Sequence, residues 1–232
     1  MTSYSAAIKS SLGSQDSSTT SQAGTVKGSS TRQNISSTTT RRSPSPSQQP
    51  KKATQDEAVY ILTILTDQPH HERMTALRKK YFPRKLNKLD AHLTLFHALP
   101  EGRLEGTILP TIRQVASQTE PFSINARTPV QLGKHGIGIF VPRGQGGDHI
   151  GQIHGALKEP WKREGFLSVQ DSGGVKAHYT VMNKVDDEAE VEAAYAELKK
   201  SFYGDEGTGE GIGLWRYDRG WWKWVDGFKF GA

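Results

Sequence analysis

The sequence predicts an α+β (α/β) fold built as two related lobes. Strand-like and helix-like segments alternate along the last ~180 residues, a length that fits one domain with a sizeable core. A short His-x-Thr segment set in apolar surroundings occurs twice, as AHLTLF from Ala91 and AHYTV from Ala177, with the histidines 86 residues apart. That separation is about half of the folding part, so a duplicated, bilobal β-sheet and helix architecture follows.

Residues 1–52 are rich in Ser, Thr, Gln, Gly and Pro and nearly free of large apolar side chains. Such a segment cannot bury enough surface to offset chain entropy and is expected to be a disordered basic tail. Its RRSPSPS stretch at 41–47 sets arginines before two Ser-Pro pairs, which suits phosphorylation. The formal charge of the chain is +6, and all of it lies in the tail: residues 53–232 carry 23 basic and 23 acidic side chains. Any basic patch on the folded domain, taken as 53–232, must therefore be local. There is no cysteine, which excludes disulfides, a thiolate nucleophile and a zinc–thiolate site. No apolar run approaches the ~20 residues needed to cross a bilayer, and no secretory apolar core opens the chain. No membrane association is expected, the expected location is the cytoplasm or nucleus, and a monomer is expected.

The elements follow in order. AVYILTIL (58–65) reads as a strand buried on both faces. Residues 68–82 read as a helix stopping before Pro83. AHLTLFHAL (91–99) is a strand. Residues 104–118 are mostly helical, with a break or kink at Pro110. FSINARTPVQLG (122–133) and GIGIFVP (136–142) read as paired strands. Asp148 looks like the N-cap of a helix through about Glu164, with Pro160 near its end. VKAHYTVMNKV (175–185) is the second His-Thr strand. Residues 186–203 are a strong helix, acidic at its start and basic at its end, as the helix dipole favours. GIGLWRYD and WWKWVDGF make a hairpin turning at Asp218-Arg219-Gly220.

Alternation along a strand puts His92, Thr94 and Phe96 on one face, with Leu93 and Leu95 on the other. It likewise groups His178 with Thr180, opposite Tyr179 and Val181. Each strand presents an imidazole and a hydroxyl ~7 Å apart. Two such strands side by side would form a cleft suited to a phosphate diester. One histidine takes a proton from the attacking oxygen and the other gives one to the leaving oxygen. The threonine hydroxyls bond the non-bridging oxygens as charge develops. Histidine serves in either protonation state near pH 7 and no metal or other cofactor is required. Roughly 0.2 matches of this pattern are expected by chance in the chain, so two in equivalent settings point to a site.

With these residues the sequence resembles the two-histidine (2H) phosphoesterase superfamily, which includes the 2'-5' RNA ligase and 2',3'-cyclic phosphodiesterase families. The resemblance covers about 56–230 and rests on AHLTLFHALP, AHYTVMNKV and the order of elements between them. The His-x-Thr/Ser-apolar pattern maps onto His92 with Thr94 and onto His178 with Thr180. Relatives often carry proline before the first histidine, where this chain has Ala91. The resemblance implies a bilobal fold with a pseudo-two-fold axis and central cleft, and metal-independent hydrolysis of 2',3'-cyclic phosphates of RNA ends or nucleotides. RNA-end ligation by the reverse reaction uses the same groups. A non-catalytic RNA- or nucleotide-binding module is the alternative from another class.

Residues 73–88 hold seven basic side chains and no acid. They read either as a phosphate-binding rim, with Arg84 and Lys85 as contacts, or as a solvated helix face and loop. Lys176, two before His178, is a further phosphate candidate, and Phe96 a base-stacking one. The hairpin from 214 to 230 is dense in aromatics. Most must cover the back of the sheet, while Tyr217 is a candidate for the cleft. His97, five residues after His92, is expected on the opposite face in a structural role, and His70 and His71 are expected to cap their helix or face solvent. His149 and His154, five apart on one helix, make no metal pair. GQGG (144–147) is expected to be a flexible cleft edge.

Overall fold

The computed structural model describes residues 57–231. The tail over 1–52 and its RRSPSPS stretch lie outside the described residues. Twelve elements follow one another: β1 (Val59–Thr66), α1 (Gln68–Tyr81), β2 (Leu93–Pro100), α2 (Leu109–Ser117), β3 (Phe122–Ala126), β4 (Thr128–Gln131), β5 (Ile137–Phe140), α3 (Gly147–Glu164), β6 (His178–Met182), α4 (Glu188–Ser201), β7 (Asp205–Asp218) and β8 (Trp221–Lys229). The strands form one antiparallel sheet in the order β3-β7-β1-β2-β6-β5-β4, with β8 also on β7.

This order carries the duplication. β2 and β6, the two His-Thr strands, are neighbours in the middle, β1 flanks one and β5 the other. The seam is thin: β2 and β6 share a single bridge, Leu93 with Tyr179, against five paired positions between β1 and β2. The two halves of the sheet meet along that seam and share one buried core.

Sequence reasoning joined 122–133 into one strand. Here Arg127 divides it into β3 and β4, which stand at opposite edges of the sheet. Two edges joined through one residue require the sheet to curl almost into a barrel, since a flat sheet would separate them by six strand spacings of about 4.8 Å. Of the two, β4 pairs with β5 and β3 with the start of β7.

Leu93, Phe96, Tyr179, Val181, Ile137, Ile139, Ile212 and Leu214 point to one side, where α1, α2 and α3 contribute Met74, Ile112, Ile153 and Trp161 to one buried core. α1 starts as its sequence requires. Asp67 accepts the His70 amide, and Pro69 occupies the first turn, where a missing N–H costs nothing. Pro110 sits equivalently in the first turn of α2, after a π turn over Leu104–Ile108, so it opens that helix rather than breaking it. α3 is preceded by Gly146, not capped by Asp148. Gly146 has φ 102°, and a Cβ there would lie 2.6 Å from the Ser123 carbonyl oxygen. GQGG is thus a tight backbone crossing over β3 rather than a flexible edge.

Two register shifts in β2 overturn the simple alternation. Thr63 pairs with Thr94 and Leu62 with Phe96, so Leu95 is an extra residue; a second shift follows before Leu99. A bulge of this kind turns two successive side chains to one side. Leu95 and Phe96 are both buried, and His97 returns to the open face with His92 and Thr94. The expected positions of Phe96 and His97 are therefore exchanged.

Candidate active site

The Leu93–Tyr179 bridge fixes how the two motifs meet. Extending that antiparallel register by one residue each way sets His92 opposite Thr180 and His178 opposite Thr94. All four half-buried side chains share the face opposite the core. The two histidines occupy diagonal positions, for which backbone separations are about 7–8 Å. That leaves room for one tetrahedral phosphate group between the rings.

Each imidazole is oriented in the same way. His92 Nδ1 lies 2.8 Å from the Asp90 carbonyl oxygen, and His178 Nδ1 lies 2.6 Å from that of Lys176. A carbonyl accepts, so Nδ1 carries the hydrogen and Nε2 is left as the working nitrogen in both rings. The repeated bond to the residue two positions earlier is the pseudo-two-fold relation at the level of single atoms.

The surroundings differ. Burial first, then the positive charge of Arg78, pushes the His92 pKa down to about 4, against the opposing effect of its bond to Asp90. His92 is therefore neutral at pH 7. Trp222 lies over it, with ring centroids 4.4 Å apart. In a flat sheet, β8 would stand roughly 14 Å from β2, so this contact shows the sheet curling toward the histidine face. Beside His178, β5 supplies Gly138, where a Cβ would come within 3.1 Å of the ring.

The aromatic hairpin supplies one wall. Trp215, Tyr217, Trp222 and Trp224 share a face, because Trp215 pairs with Trp224 and Tyr217 with Trp222. The Trp215 indole N–H donates to the Thr63 hydroxyl at 2.9 Å, and Thr63 is the neighbour of Thr94 on β1. Trp215 meets Trp224 edge-on at 4.9 Å. Phe228 and Phe230 join the core instead.

Of the other sequence candidates, Tyr217 is exposed on this same wall. Arg84 and Lys85 are exposed in the loop between α1 and β2, and the Lys176 side chain is exposed just before β6. Phe96 is fully buried, stacked on His154 at 4.7 Å and edge-on to Trp161 at 4.9 Å, so it cannot reach a ligand on the open face. His149 stacks on Phe122.

Several residues play a part here that the sequence does not assign to them, and His70, expected to cap its helix or face solvent, is one. His70 is fully buried, with Nδ1 2.5 Å from an Asp205 oxygen and Nε2 2.9 Å from the Tyr179 hydroxyl, so it braces the second motif strand from behind. Arg73 grips the same Asp205 with two bonds. Asp171, 2% exposed, accepts from the His97 and Ala98 amides, the His97 ring and the Ser168 hydroxyl. Burial works against its charge, but these donors outweigh it and hold its pKa below the usual carboxylate value. Asp171 thereby ties its own turn to β2. Arg78 is buried and reaches the loop before the first motif and the Thr180 carbonyl of the second. His70, Met74 and Arg78 are spaced four apart, and that spacing placed all three on one buried helix face. A cavity of about 940 Å³ lies elsewhere, between β3, the start of β7 and the Arg143–His149 turn.

A family model described as the 2'-5' RNA ligase superfamily matches residues 66–221, a span that contains both motifs. The chain belongs to that superfamily of 2H phosphoesterases. Among solved structures, TT0787 of Thermus thermophilus superposes with a TM-score of 0.54 at 14% identity, covering 75% of this chain and 98% of that one. Apo LigT of E. coli gives 0.53 at 12%, covering 76% and 99%. A structure described as a phosphoesterase gives 0.50 at 15%, covering 76% and 100%. At such identities the likeness establishes the superfamily fold, and the chemistry rests on the residues above. No curated protein sequence matches the chain significantly.

Proposed function

We propose that this 2H phosphoesterase opens 2',3'-cyclic phosphates at RNA ends or on nucleotides, with His92 and His178 as the acid–base pair. The observation that carries the reading is the pair of Nδ1-anchored imidazoles on adjacent antiparallel strands, each facing the other strand's threonine. His92, neutral at pH 7, takes a proton from the attacking water through Nε2, which leaves protonation of the departing ribose oxygen to His178. Thr94 and Thr180 donate to the non-bridging oxygens, whose charge grows as the phosphorus becomes five-coordinate. These groups need no metal for the step. The wall of Trp215, Trp222 and Trp224 offers a stacking surface for a nucleobase, tolerant of base identity. Arg84, Lys85 and Lys176 are exposed cations available to neighbouring phosphates.

The superfamily's name favours a second reading of the same site. With a ribose hydroxyl attacking the cyclic phosphate in place of water, and the same ring oxygen leaving, the pair would join RNA ends. The test is turnover of 2',3'-cyclic-phosphate nucleotides and RNA oligomers in the presence of chelator, with the position of the product phosphate identified. Hydrolysis abolished by His92→Ala and by His178→Ala supports the reading. Binding without turnover by the intact chain would leave a nucleotide-binding module instead.

A further inference from the structure

We infer that Arg78 is a positioning residue that sets the separation of the two catalytic imidazoles. The inference rests on the acid–base reading of His92 and His178. Arg78 is 5% exposed on α1. Its Nε donates to the Asn87 side-chain oxygen at 2.9 Å and to the Leu89 carbonyl at 3.1 Å, both in the loop that delivers His92. Its Nη1 donates to the Thr180 carbonyl at 2.5 Å, inside the second motif. One rigid, planar fork thus spans from the approach to one motif to the backbone of the other. It does so where the sheet is weakest, since a single bridge joins β2 to β6. A lysine could not reproduce this, because its ammonium is a point donor on a flexible stem.

The chain accepts a cost for this arrangement. Burial lowers the Arg78 pKa to about 10, with partial relief from Asp90, so the group stays charged at pH 7. Its guanidinium also lies 3.9 Å over the Phe82 ring. An apolar side chain of similar volume would fill the space without that cost, but it would leave the loop and the strand unconnected.

The charge gives the inference a readout that a purely structural role would not move. Asp90 lies two residues before His92, His71 and Arg78 face it from α1, His97 from farther along β2 and His178 from β6, with Lys176 just before β6. Of these, Arg78 is the largest charged contributor to keeping His92 neutral.

The experiment uses the full chain, a 2',3'-cyclic nucleotide, and NMR titration of the His92 ring. Arg78→Gln is expected to lower kcat by ~100-fold with KM changed less than ~3-fold, the scale expected when reacting groups shift by about 1 Å. It should also raise the His92 titration midpoint by about one unit. Arg78→Lys should hold the midpoint yet lose ~10-fold in kcat, because charge survives and the fork does not. Wild-type kcat in either variant, or an unmoved His92 midpoint in Arg78→Gln, overturns the inference. If neither variant folds, Asn87→Ala decides. Removing that one acceptor should cost roughly threefold or more in kcat, and no loss overturns the inference. Absent turnover in the wild type would instead defeat the acid–base reading, and the His92 midpoint would still decide whether Arg78 acts on the site.

Discussion

The first and second His-Thr strands share a motif and the backbone bond that orients its histidine, and differ in their neighbours. β2 lies beside the eight-residue β1, carries two bulges, and has its histidine covered by Trp222. β6 is five residues long, lies beside the four-residue β5, and is braced by side chains of α1: His70 on Tyr179 and Arg78 on Thr180. Thr94 has Thr63 as its neighbour, while Thr180 has Gly138. Duplication supplies two equivalent imidazoles, and acid–base catalysis needs two inequivalent ones. Burial and the nearby guanidinium lower the His92 pKa, which suits it to the base role in the proposed mechanism.

The largest effect is expected from removing one histidine at a time. His92→Ala and His178→Ala should each lower kcat by ~10³-fold or more, with circular dichroism and melting unchanged. In the wild type, kcat/KM should persist as pH falls through 6.5 and be lost near pH 4. The proton-accepting form of His92 exists above its folded pKa, which lies below the ordinary value. An acid limb at or above pH 6.5 would show that His92 is not the base.

Next in size is a stability effect confined to the first strand's support. His154, buried against Phe96, has its pKa lowered to about 4 by burial, then by Lys158. The unfolded chain takes up this proton first. The contribution is therefore complete above about pH 6.5 and lost as pH falls toward 4, up to ~3 kcal/mol. Urea titrations at pH 7 and pH 4.5 should show this loss, and His154→Leu should reduce it.

Replacing the hydroxyls tests whether the two halves share the phosphate evenly. Thr94→Val and Thr180→Val should each cost ~10–100-fold in kcat with little change in KM, and the double variant should lose more than either. An effect in one strand alone would mean that the phosphate sits off the pseudo-two-fold axis. A smaller effect belongs to the wall found on one side. Trp222→Ala should raise KM for nucleotide substrates by ~10-fold or more and act less on a cyclic ribose phosphate lacking a base. The smallest effect lies at the hairpin tip, where Arg219 adopts φ 51° beside Gly220 at φ 90°. This two-residue turn favours Asn-Gly, so Arg219→Asn should stabilise the domain by ~0.5 kcal/mol, seen as a small rise in melting temperature.

The sequence carried the motifs, their strand setting, the helices and the hairpin, because these follow from local rules of periodicity, capping and turn chemistry. It also carried the pairing of His92 with Thr94 and of His178 with Thr180, since both lie within three residues and ahead of any bulge. Phe96 and His97 were misplaced because one extra residue reverses a period of two, and a bulge leaves no mark in composition. His70 and Arg78 looked like solvent-facing members of a polar helix start and a basic cluster. Their partners, Asp205, Tyr179 and Thr180, are more than 100 residues away in the chain.

By itself, then, the sequence picked out four polar side chains on two strands and the chemistry such groups can perform. Side-chain identity and strand alternation are local properties. The tertiary structure decided that the two strands are adjacent, that their shared register crosses each histidine with the other strand's threonine, and that one histidine is kept neutral. Adjacency, register and desolvation depend on what the rest of the chain packs around the seam, and no short stretch of sequence contains them.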